Sequence, residues 1–231
     1  MRFERQIPVI GVDGQRRLRD STVAVAGCGG LGCNVITQLC LAGIGNIRII
    51  DSDVISESNL NRQFVHCGKE GSKVRSMAEW IRRISDTEVT SFDERLTDDS
   101  CQHFAEGADI IVDCLDNNAS RMILNRFALS NDVPLVHGAV NGMFGQVFLM
   151  VPGETACLSC FLGKDGGDGS NIGAAVSAIA SVQAMEAIKF LTGKGELSKG
   201  ELISIDLEKN SFRRIPIFGR DDCQTCGKEL D

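Results

Sequence analysis

Two sets of residues in this chain have the types and spacings that chemistry needs. The first opens with Gly27-x-Gly29-x-x-Gly32, preceded by the short apolar run TVAVA and followed by an apolar segment of helical spacing. A strand that feeds such glycines into a helix lets backbone N–H groups and the positive helix end meet phosphate at close range. Asp51 follows 19 residues after Gly32, at the tip of the next predicted strand, where an acid can accept from ribose hydroxyls. Beyond it run Asp51-Ser-Asp53-Val-Ile-Ser-Glu-Ser-Asn59-Leu-Asn-Arg62-Gln63 and, at the start of a predicted helix, Lys73. NAD and ATP both offer ribose and phosphates, but an arginine and a lysine beside the loop suit a polyphosphate whose leaving group gathers charge.

The second set is a pair of C-x-x-C motifs, Cys157/Cys160 and Cys223/Cys226. Four thiolates suit tetrahedral zinc. The wide gap between the pairs predicts a structural staple that ties the tail to the core. A thioredoxin-like redox motif comes singly at a helix start, which fits less well. The other six cysteines, Cys28, Cys33, Cys40, Cys67, Cys101 and Cys114, lie in apolar stretches or loop edges and read as small hydrophobes. His66, His103 and His137 show no metal spacing and read as solvated or core residues.

These residues need a scaffold, and the chain predicts one. Apolar strand segments at TVAVA, IRIID, EVTSF, DIIVD and VPLVH alternate with helical patterns near residues 33–41, 73–84 and 119–130. Repeated βα units of this kind predict a Rossmann-like, mostly parallel sheet with helices on both faces. After Gly138 the strands QVFLMV, ELISID and SFRRIPI, with an apolar helix at about 174–191, predict an antiparallel extension carrying the four-cysteine zinc site. The polar segment from Ser52 to Lys73 is long for a loop and so reads as functional, and KDGGDGSNIG reads as a mobile loop.

A length of 231 residues, 43% hydrophobic and 24% charged, fits one globular α/β domain. A net charge of −7 with no basic run argues against a sequence-independent grip on nucleic acid. No segment approaches about 18 uninterrupted apolar residues, so no membrane span is expected, and the location expected is cytoplasmic.

The motifs G-x-G-G-L-G, D-x-D-x-V-x-x-S-N-L-x-R-Q and D-x-x-D-N, with the N-terminal Arg-Phe-x-Arg5-Gln6 and Ser181-Val-Gln-Ala-Met-Glu-Ala-Ile-Lys, resemble the adenylation domain of the ThiF/MoeB/HesA family. The resemblance spans nearly the whole chain. It implies a single domain over 1–231, with an N-terminal arm (1–20), a nucleotide-binding core (21–140) and an acceptor-binding extension with the zinc site (141–231).

It also implies roles. Gly27, Gly29, Gly30 and Gly32 would form the phosphate loop, and Asp51 would hold the ribose. Asn59, Arg62 and Lys73 would hold the triphosphate and steady pyrophosphate, with Lys69 as the alternative to Lys73. Asp116 would ligate magnesium, with Asn117 beside it and Asp113 either supporting it or ending its strand. Asp53 would be a support or a loop cap. Arg5 would reach a neighbouring subunit's ATP, which would make a homodimer the catalytic unit. The activity implied is ATP-dependent adenylation of the C-terminal glycine of a ubiquitin-like sulfur carrier ending in Gly-Gly, or of a peptide or small-molecule carboxylate. A catalytic cysteine found in many relatives before the late helix has no counterpart, since none lies between Cys160 and Cys223. An NAD-dependent oxidoreductase and an inactive nucleotide-binding scaffold are the other classes considered.

Overall fold

The computed structural model of the chain describes residues 2–163 and 169–227. In chain order the elements are α1 (Ile7–Asp20), β1 (Thr22–Ala26), α2 (Gly30–Ala42), β2 (Asn46–Ile50), α3 (Lys73–Ile84), β3 (Glu88–Phe92), α4 (Asp98–Ala105), β4 (Ile110–Asp113), α5 (Asn118–Ser130), β5 (Leu135–Asn141), β6 (Phe144–Met150), α6 (Gly173–Thr192), β7 (Glu201–Asp206) and β8 (Ser211–Pro216). All eight strands form one sheet in the order β3-β2-β1-β4-β5-β6-β7-β8. The pairings from β3 to β5 are parallel, and those from β5 to β8 are antiparallel. The Rossmann-like half and its antiparallel extension are therefore one continuous sheet.

Alternation along β1 explains why it reads as an unbroken apolar run. Val23 and Val25 enter a core shared with α1, α2, α3 and α6, whereas Ala24 and Ala26 enter the opposite core with α4 and α5. A strand covered on both faces has no polar side to display. The helices are set by local chemistry: Ser72 accepts the Arg75 N–H at the start of α3, Thr97 and Ser100 form a reciprocal cap on α4, and Asn117 caps α5. Helix α6, with a mean hydropathy of 1.3, is long and apolar enough to cross a membrane, but it packs against α1, α2, β5 and β6 as a core helix.

Three features depart from the sequence-based expectation. Within the N-terminal arm, Ile7–Asp20 form a helix that the sequence reading does not assign; its charged composition and the break at Gly11 (φ 78°) hide the pattern. Helix α4 is only 8 residues long, too short for periodicity to announce it. Among the six cysteines read as small hydrophobes, Cys67 is exposed and the other five are buried. The loop read over 164–173 falls partly on residues 164–168, outside the described residues.

Candidate functional site

The strand order reverses at β1, which lies between β2 and β4. Ligands of open α/β sheets bind in the crevice that such a reversal leaves at the carboxyl ends of the strands. A cleft of about 1110 Å³ lies there, lined by Gly27, Gly29 and Gly30 after β1, Asp51 after β2, and Asp116 and Asn117 after β4. Gly27 has φ 98°, and a methyl group on it would sit 2.6 Å from the Cys114 carbonyl oxygen. Only a glycine permits both the turn and the approach. Gly32 is not a cleft residue: it is buried in the first turn of α2, where a methyl group would meet the Gly27 carbonyl oxygen at 2.0 Å. Its place is in helix–loop packing, which leaves the other three glycines as the cleft surface.

Asp51 is anchored before any ligand arrives. Its Oδ2 accepts the Cys28 N–H at 2.6 Å and its Oδ1 accepts the Asp53 N–H at 2.7 Å. Burial pushes its pKa up, while those two N–H groups and the charge of Lys73 oppose the rise. Each carboxylate oxygen still has a second lone pair to offer.

Arg62 and Lys73 line the same cleft, with Arg62 packed beside Gly30. Lys73 is 5% exposed, and its Nζ lies 2.7 Å from Asp53 Oδ2. Asp53 is therefore the partner of Lys73. Lys69 turns away to Glu79 and the Ser76 carbonyl and lines no part of the cleft. Arg62 donates to Asn59 Oδ1 at 2.9 Å and to Asn61 Oδ1 at 2.8 Å, so Asn59 and Arg62 reach the cleft as a pre-formed pair. Arg5 is exposed near the N-terminus and lies outside the cleft of its own chain.

Asp116 stands exposed in the cleft on the turn between β4 and α5. Asn117 Nδ2 donates to its Oδ1 at 3.2 Å, and Asn117 Oδ1 accepts the Ser120 N–H at 2.9 Å. The opposite wall is partly apolar, with Val140, Phe144, Phe161, Leu202 and Ile217. It comes from the antiparallel half of the sheet and the segments beside it.

The four C-x-x-C cysteines meet on the α5 side of the sheet. Their sulfurs lie within 4.8 Å of one another, close enough to bind one metal ion. Asn125, fully buried on α5, accepts the Leu158 N–H at 2.9 Å and fixes the first pair. Arg220 donates to the Ser159 carbonyl, and Ser159 and Thr225 share a hydrogen bond of 2.9 Å, which brings the tail to it.

Several cleft residues are not singled out by the sequence. Gln63 is 4% exposed and lines the cleft, and its Oε1 has no hydrogen-bond partner among the described residues. Arg121 and Gln146 line it too. The Arg-Gln of the loop motif points to Gln63; Arg121 and Gln146 are placed by packing alone. His66 and His137 are fully buried core residues, while His103 is exposed on α4. His66 Nε2 donates to the Cys28 carbonyl at 2.9 Å, which leaves Nδ1 to accept the Ser76 hydroxyl at 2.9 Å. The ring thus braces the glycine loop against α3, the helix that carries Lys73.

The ThiF family model matches residues 3–227. The molybdopterin-synthase adenylyltransferase of Escherichia coli is 35% identical over 240 residues, covering 99% of this chain and 96% of that protein. The SAMP-activating enzyme E1 of Haloferax volcanii is 32% identical over 240 residues, covering 98% and 88%. Among solved structures, E. coli MccB with ATP superposes with a TM-score of 0.85 at 23% identity, covering 98% of this chain and 74% of that one. At that identity the likeness establishes the fold.

Burial, reinforced by Lys73 and Lys69, holds the His66 pKa below its usual value against the opposing Cys28 hydrogen bond. In the unfolded chain the same ring titrates near pH 6.5. Below that pH the unfolded state binds the extra proton first, so stability falls as pH drops from about 6.5 towards the folded pKa. His66→Gln is expected to flatten the dependence of Tm on pH between about 7 and 5 and to lower Tm at neutral pH. An unchanged slope would contradict this.

Proposed function

This chain belongs to the ThiF family, and from that premise we propose that it is an ATP-dependent adenylyltransferase acting on the C-terminal glycine carboxylate of a ubiquitin-like sulfur carrier. The observation that carries the proposal is the convergence on one cleft of the glycine loop, the Asn59–Arg62 pair, Lys73 and Asp116. A hydride-transfer enzyme has little use for the two cations.

In this reading the loop N–H groups and the start of α2 receive phosphate oxygens, and Asp51 accepts from the ribose hydroxyls through its remaining lone pairs. Asn59, Arg62 and Lys73 hold the triphosphate, with Lys73 shared between Asp53 and phosphate. Asp116, with Asn117 beside it, would hold a magnesium ion, because a hard cation that accompanies a nucleotide needs only one or two protein carboxylates. When bound, the ion neutralises charge on the phosphate oxygens. The acceptor carboxylate attacks the α-phosphorus in line, the bond to the β-phosphate oxygen breaks, and pyrophosphate leaves. A carboxylate is already ionised near neutral pH, so no base is required. Arg5, exposed and outside the cleft of its own chain, is assigned to the site of a second subunit. The chain has no cysteine between Cys160 and Cys223, so in this reading the reaction ends at the acyl-adenylate unless another thiol, Cys33 or the exposed Cys67, takes the acyl group. The same feature favours, as a second reading, a peptide or small-molecule carboxylate as acceptor.

The four-cysteine cluster is assigned to structural zinc. Bonds of about 2.3 Å in a tetrahedron give sulfur–sulfur edges of about 3.8 Å, and the observed separations include 3.8, 4.0 and 3.4 Å. Elemental analysis of the purified protein is expected to find about one zinc per chain, and Cys223→Ser to lose it with a lower Tm. Metal-free protein of unchanged Tm would contradict the assignment.

Isotope exchange between labelled pyrophosphate and ATP tests the activity. With magnesium and a Gly-Gly carrier, exchange is expected to occur and to fall by roughly 100-fold or more in Asp116→Ala, the scale of losing a group that stabilises charge in the transition state. Exchange with small carboxylates alone would favour the second reading. No exchange with any acceptor despite ATP binding would favour an inactive scaffold.

A further inference from the structure

Beneath the Asp116 turn lies a buried cluster of charge to which the proposed function assigns no role. Asp113, at the end of β4, is fully buried, and its Oδ1 accepts the Leu115 N–H at 3.0 Å. Its Oδ2 accepts the His137 Nδ1–H at 2.7 Å and forms an ion pair with Arg121 Nε at 3.4 Å, a contact of charge rather than a hydrogen bond, since Arg121 Nε has no hydrogen-bond partner among the described residues. His137 is fully buried as well, and its Nε2 accepts from Gln146 Nε2 at 3.1 Å, so Nδ1 carries the proton given to Asp113.

Arg121 is 8% exposed, and its two terminal nitrogens leave the cluster for the turn itself. Nη2 donates to the Leu115 carbonyl at 2.6 Å, and Nη1 donates to Asn118 Oδ1 at 3.0 Å. These two contacts fall on either side of Asp116 and Asn117. Buried ion pairs are often no more stabilising than well-packed apolar groups of the same volume. Stability alone therefore does not account for a guanidinium here; its rigid fork, able to hold several acceptors at once, does.

We propose that Arg121 is a positioning residue: paired in charge with Asp113, it clamps the turn through its hydrogen bonds to Leu115 and Asn118 and so fixes the direction in which the Asp116 carboxylate enters the cleft. The consequence for metal binding rests on the assignment of Asp116 to magnesium; the clamp itself does not. A lysine at 121 can keep the charge beside Asp113 but cannot reach Leu115 and Asn118 together.

The test compares the full chain with Arg121→Lys in two readouts. The first is amide hydrogen exchange over residues 114–120 in nucleotide-free protein, which is expected to quicken in the variant while the sheet core keeps its protection. The second is metal affinity, read as Mn²⁺ bound in the presence of a non-hydrolysable ATP analogue and as the Mg²⁺ half-saturation of pyrophosphate exchange. Both are expected to weaken by roughly 10- to 100-fold, the usual cost of losing a group that orients a metal ligand. The rate at saturating magnesium should recover towards that of the unmodified chain.

A residue that merely stabilised the fold would lower Tm and leave the metal dependence alone, and that result would overturn the proposal. Unchanged protection over 114–120 would also overturn it. Should Arg121→Lys fail to fold, Asn118→Ala removes one arm of the clamp and is expected to shift both readouts in the same direction by less; no shift there would count against the clamp. Faster exchange of the turn in a protein that shows no pyrophosphate exchange would uphold the clamp and refute the adenylation reading.

Discussion

The cleft depends on how closely two turns approach each other at the end of β1. The Gly27 N–H is bonded to the Ile50 carbonyl of β2, and the Cys114 N–H to the Ala26 carbonyl of β1, both at 2.9 Å. The glycine loop and the Asp116 turn are thereby hung from the same strand, back to back. The approach leaves no space for a side chain at Gly27 and puts the start of α2, the tip of β2 and the start of α5 around one cavity. Every assignment of a phosphate, ribose or metal contact follows from that meeting of three strand ends.

Around this hub, much of the charge is braced before a ligand arrives. Asp51 is held by two N–H groups, Lys73 by Asp53, and Arg62 by Asn59 and Asn61. His66 ties the glycine loop to α3 from below. Fixed donors of this kind need little reorganisation when charge develops on a leaving group, which is the main source of electrostatic catalysis. Asp116 is exposed, with Asn117 at its side and the Arg121–Asp113 pair beneath its turn.

Much of this architecture can be read from the chain, for identifiable reasons. TVAVA is apolar because both faces of β1 are covered, and the glycines after it are fixed by sterics that any nucleotide-binding turn of this shape shares. The two C-x-x-C pairs declare themselves because ligand spacing is local, and the structure brings all four sulfurs together. What stays hidden depends on distance in space. The choice of Lys73 over Lys69 as a cleft residue turns on which face of the 69–73 segment meets Asp53. Arg121 and Gln146 acquire their places from packing between elements far apart in sequence. Helices α1 and α4 escape because one is broken by Gly11 and the other has barely two turns in which to show a period.

The central claim is chemical: the cleft joins an adenylyl group to an acceptor carboxylate. It is tested most directly by the intact mass of a Gly-Gly-terminated carrier after incubation with the chain, ATP and magnesium, with and without hydroxylamine. The expected result is a carrier heavier by one adenylyl group, which hydroxylamine removes as it does other activated acyl groups. Conversion of ATP to ADP and phosphate, with no adenylyl group on any carboxylate offered, would contradict the account.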